Sequence, residues 1–130
     1  MKRYKKYAAW IYLLNLALLT THEIDSAYWH EWNLFGLPGG IGLFLILNFA
    51  LLAVFIYGYE STAVWGSGAA VYSSLLAFSG IFAFTIHTSF IVAGHPEFTT
   101  AISLSILALT LIVSIIQLLL VILIRWQQSA

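Results

Sequence analysis

The chain contains no cysteine. Disulfides, thiolate metal ligands and cysteine nucleophiles are excluded together. Charge is nearly as scarce. Asp, Glu, Lys and Arg make up 8% of 130 residues, where a soluble domain carries roughly 25%. Five basic and five acidic residues cancel to a formal net charge of zero. That argues against a nucleic-acid partner, which calls for a basic footprint. Proline occurs only at Pro38 and Pro96. No low-complexity tract and no separate soluble segment breaks the chain.

What remains is apolar: 62% of the residues are hydrophobic and the mean hydropathy is +0.95. A chain of this length cannot hide so much apolar surface in a core of its own. Lipid is therefore the expected solvent. A spanning helix needs about 20 mostly apolar residues, and four runs qualify. They cover about 7–24, 39–57, 68–91 and 97–124, judged by that length rule. Pro38 and Pro96 stand where the second and fourth should begin, a position that tolerates a missing N–H. Gly58 and Gly66 bracket the joint between the second and third. Short joints make neighbouring helices antiparallel. The expected fold is all-α, a single integral membrane four-helix bundle over 1–130, up-down-up-down with short loops.

All five basic residues, Lys2, Arg3, Lys5, Lys6 and Arg125, lie in the two tails. Four spans put both tails on one face, and the positive-inside rule makes that face cytoplasmic. The expected location is the inner (plasma) membrane, with both termini inside. Met1 to Lys6 also resembles the basic start of a signal peptide, but no small-residue cleavage pattern follows. The first run reads as a retained anchor.

All four histidines and four of the five acidic residues fall in the two loops that this topology turns outward. One segment holds His22, Glu23, Asp25, His30 and Glu31; the other holds His87, His95 and Glu97. Ionisable groups at membrane depth mark a functional site by default. From Tyr7 to His22 a helix rises about 22 Å, and from Gly68 to His87 about 28 Å. The two histidines should reach one level and share a ligand.

Imidazole with carboxylate suits a divalent transition metal such as zinc or iron. The expected ligands are His22, His87, Glu23 or Asp25, and then His95. His30, Glu31 and Glu97 would orient the imidazoles. Each of these also has a plainer role: Glu97 facing a helix dipole, His95 as a cap, and His30 with Glu31 as interface residues beside Trp29 and Trp32. Asn15, Asn48 and Gln117 sit mid-span, where amides bond neighbouring helices.

Three classes of function compete. A metal-dependent enzyme on a lipid or other amphiphile would use Glu23 or Asp25 as general base on metal-bound water. A non-catalytic subunit would bind metal, protons or a haem held by His22 and His87. A structural partner would dock its polar loops on another protein. Membrane lipids are the expected partners in every case, with a protein partner or a second copy as a further expectation.

The strings His22-Glu23-Ile24-Asp25, Glu31-Trp32, Leu37-Pro38-Gly39-Gly40 and His95-Pro96-Glu97-Phe98 resemble those of a group of short bacterial four-helix membrane proteins without an assigned activity. The resemblance covers nearly the whole chain. It implies a bacterial origin and the same four-span layout, and carries no catalytic residue across.

Overall fold

The computed structural model describes residues 2–129; Met1 and Ala130, the limits of the domain read from the sequence, lie outside it. Among the described residues are five helices and no strand. They are α1 (Lys2–Tyr28), α2 (Glu31–Leu34), α3 (Gly40–Val64), α4 (Ala69–Val92) and α5 (Ala101–Ser129). The four long helices pack around one another in the cyclic order α1, α3, α4, α5, and α1 also touches α4 across the middle. By length and composition α3, α4 and α5 can each cross a membrane. The charges at both ends of α1 set it apart from those three.

Burial in each long helix follows a seven-residue repeat. On α1 the buried positions are Ala8, Tyr12, Asn15, Leu19, His22 and Ser26; on α4 they include Ala69, Ser73, Leu76, Gly80, Ala83 and His87. Steps of four and three residues alternate, the 3.5-residue spacing that lets helices pack along a left-handed seam. Half of those α1 positions are polar, while Leu45, Phe49, Phe78, Phe82, Ile112 and Leu119 face outward and exposed. In water that distribution would be inverted. In lipid it is the economical one, because the tails solvate Leu and Phe while polar groups bond between helices.

Glycine sets the closest approaches. A Cβ at Gly80 would collide with the Ser114 hydroxyl and lie 2.9 Å from Thr110 Cγ2, so α4 and α5 meet backbone to side chain. Gly58, which the sequence suggests as the edge of a loop, lies inside α3. A Cβ there would come within 2.6 Å of the Tyr12 hydroxyl, which donates to the Phe55 carbonyl at 2.8 Å. The helix continues through Gly58 because it packs there, and it ends only at Val64.

The loop end opposite the basic tails is shaped by local caps. Gly94, with φ 93°, closes α4, and His95 N–H reaches back to the Phe90 carbonyl at 3.1 Å, the six-to-one bond of a glycine-terminated helix. Beyond it, Pro96 does not open the next helix. Thr100 does, its hydroxyl accepting the Ser103 N–H at 3.1 Å, as an N-cap oxygen should. Glu97 therefore lies outside the first turn of α5.

Candidate metal centre

His22 and His87 lie on the buried seams of α1 and α4, near the loop end. Both are 1% exposed. Their rings meet edge to face with centroids 4.5 Å apart and planes at 86°. Glu31 completes the group. After Tyr28 the chain turns through His30 in the left-handed region (φ 54°). That turn folds α2 back and places the Glu31 carboxylate 3.5 Å from His87 Nε2. One donor atom from each of His22, Glu31 and His87 lies within 4.8 Å of the others.

The hydrogen-bond pattern fixes what these atoms offer. His87 Nδ1 lies 2.7 Å from the Ala83 carbonyl. A carbonyl can only accept, so Nδ1 carries a proton and Nε2 is the ring nitrogen turned toward Glu31. His22 Nε2 faces the Ser26 hydroxyl at 3.5 Å. His22 Nδ1, His87 Nε2 and Glu31 Oε2 are buried with no hydrogen-bond partner. In the neutral His87 ring Nε2 carries a lone pair, and a lone pair opposite a carboxylate repels it unless a proton or a metal cation stands between them. Two donors on a tetrahedral metal with bonds near 2.1 Å stand about 3.4 Å apart, close to the 3.5 Å between His87 and Glu31. A backbone carbonyl holding the far nitrogen is also how metal-binding histidines are oriented. The contact leaves no slot for a porphyrin between the imidazoles, so the bis-histidine haem arrangement does not fit.

Phe98 closes the group from the loop side. It is fully buried and packs on His87 and His22 with centroids at 4.2 and 5.8 Å. Trp29 lies behind it at 6.2 Å. Phe98 has φ 63°, a strained conformation for a bulky side chain that persists only where the surroundings enforce it.

Sideways the centre is open. A cleft of about 440 Å³ runs from His22, Glu23, Glu31 and His87 down between α1, α3 and α4, past Leu51, Phe82 and Phe78. A second cleft of about 330 Å³ lies on the other side of Glu23 and Glu31, against Trp32, Phe44 and Asn48. Glu23 lines both.

The remaining candidates lie apart from this centre. Asp25 is half-buried and lines neither cleft, and its Oδ2 is buried without a partner. His95 is exposed and pairs with Glu97 at 3.6 Å, its ring against Phe90. His30 is exposed and packs on Trp32. Glu31 thus stands among the donor atoms, where the sequence suggests only an orienting role. The signal for it, a left-handed residue at His30, has no trace in residue spacing. Phe98 escapes sequence reading for the same reason.

Fold and site together define an all-α membrane-type bundle with a buried His/Glu/His group that could hold a metal. Residues 8–124 match the family of unknown function DUF6713, and the chain belongs to that family. No curated protein and no solved structure matches it.

Proposed function

We propose that this chain is a four-span membrane metalloprotein, with α1 crossing beside α3, α4 and α5 and both tails on the cytoplasmic side. His22, His87 and Glu31 bind one divalent transition metal, zinc or iron. The observation that carries this reading is the clustering of His22, Glu31 and His87, one donor atom of each within 4.8 Å of the others, in residues that each also keep a buried atom without a hydrogen-bond partner. Three protein ligands leave a coordination position free, as catalytic metal sites require. His22, Glu31 and His87 line the cleft, and Glu23 shares its wall. A metal held there would supply Lewis-acid chemistry for an amphiphile in the cleft, and Glu23 is the carboxylate placed to serve as general base.

Metal analysis of detergent-purified protein tests the centre. One equivalent per chain is expected, falling to background in the His22→Ala/His87→Ala double variant. Metal at wild-type stoichiometry in that variant would discard the ligand set. Glu23→Gln should keep the metal and abolish turnover of an amphiphilic substrate. The absence of cysteine gives a background-free test of orientation. An impermeant maleimide should label Gly94→Cys from outside intact cells and leave Ser67→Cys unlabelled; the reverse pattern refutes the topology.

A further inference from the structure

The cleft beside the centre has the proportions of a lipid chain. We infer that it holds one acyl chain from the leaflet on the loop side, with the carboxyl or carbonyl oxygen of that lipid at the His22–Glu31–His87 centre. This rests on the metal reading above and names the class of molecule that the centre acts on.

Four observations support it. First, the cleft wall on α4 runs from Leu75 to His87, a rise of about 18 Å; one leaflet of the hydrocarbon slab is about 15 Å deep. Second, polarity is confined to one end. His22, Glu23, Glu31 and His87 stand at the loop end, while Leu19, Leu51, Leu75 and Phe78 line the rest. Ser79 is the exception, and its hydroxyl is already donated to the Leu75 carbonyl at 3.0 Å. Third, the volume of about 440 Å³ lies within the usual range for small-molecule sites. Fourth, Phe98 blocks the approach from the loop side, whereas the cleft rim at Leu75, Phe78 and Phe82 is exposed on the face that lipid would cover. Access is lateral.

The division of labour follows from the solvent. Moving a chain from lipid into an apolar cleft gains little, because the tails are as apolar as leucine. The head must therefore supply the affinity, and an oxygen donor on the metal does so. The cleft then fixes which atom along the chain reaches the metal and Glu23.

A long-chain fatty acid carrying a diazirine at its tail end, photolysed with the zinc-loaded protein in micelles, tests this. Peptide mapping should place the label on Leu51, Leu75 and Phe78. Leu51→Trp should reduce the labelling about tenfold, a ~1.4 kcal/mol change, with zinc content unchanged; Ser79→Trp plugs the same cleft independently and should act alike. The corresponding alkane without the carboxylate should not favour the cleft. Label spread evenly onto the outer face of α5 at Ile112 and Leu119, or undiminished by both plugs, overturns the inference while retained zinc leaves the metal reading standing. Label confined to the cleft in a protein that binds no zinc overturns the metal-held head and the metal reading together.

Discussion

Midway along the bundle, Asn15, Ser73, Ser114 and Gln117 bond to one another. Seven residues further along α1 lies His22, grouped with Glu31 and His87, and each of the three keeps a buried atom without a partner. Both layers are polar and buried among apolar neighbours, yet they are finished differently. Asn15 Nδ2 donates to Gln117 Oε1 at 2.8 Å and to Ser114 Oγ at 3.0 Å. Gln117 Nε2 donates to the Ser73 carbonyl and hydroxyl at 2.9 and 3.1 Å. Three helices are joined with every amide group used. In the histidine layer the bonds that exist serve to aim the rings, and the aimed atoms are left free. A buried polar group without a partner costs about 1–3 kcal/mol. The first layer is complete in itself, whereas the second has donor atoms to spare and could hold a metal.

The sharpest way to break the comparison is to add the ligand. Zinc at about 1,000 times its dissociation constant should stabilise the wild-type bundle by roughly 4 kcal/mol, since it binds the folded state alone. Thermal melts in detergent would read this as a raised midpoint. Glu31→Ala should lose most of the rise, and Asn15→Leu should keep it. A rise of equal size in Glu31→Ala would erase the distinction between the layers.

Next in size is damage to the satisfied layer itself. Asn15→Leu leaves Gln117 Oε1 and Ser114 Oγ without their partner, and should lower stability by about 2 kcal/mol with metal content unchanged. Asn15→Leu/Gln117→Leu removes both sides of the bond, so the double change should cost less than the sum of the two single ones. Strict additivity in equilibrium unfolding would show that the amides do not act as a pair.

How much of this contrast is visible in the sequence depends on geometry. The rise of a helix is constant, so counting residues brings His22 and His87 to one depth, and places Asn15 and Gln117 near mid-span. Rotation about each axis is not counted so easily. Asn48 reads like Asn15, yet its amide turns to its own helix and donates to the Phe44 carbonyl at 3.2 Å. Helix ends are harder still. Pro96 suggests a start for the last helix that the Thr100 cap overrides. Glu31 reaches the centre only through the backbone turn at His30, and Phe98 covers it only through its own left-handed conformation. Those two residues depend on single φ angles that composition does not encode.

Gly80→Ala is expected to act on the satisfied layer alone. The new Cβ would push on the Ser114 hydroxyl and on Thr110. Overpacking of this kind costs about 1–3 kcal/mol, and the lower end applies because a hydroxyl can swing aside. Metal content should not move, because Gly80 lies seven residues from His87. Loss of metal in this variant would mean that the two layers are mechanically coupled.

The smallest effect belongs to the partly exposed pair in the loop between α4 and α5. His95 and Glu97 lie 3.6 Å apart with side chains 46% and 25% exposed. Water screens such a pair, and its contribution to stability should be about 0–1 kcal/mol. His95→Ala should therefore leave both the melting midpoint and the metal content near wild type, although His95 shares its residue type and its loop end with the buried histidines. What separates them is burial together with a free donor atom facing others. If His95→Ala stripped the metal, ligation would extend past Phe98 to the loop, and the closed roof over the centre would have to open in the membrane.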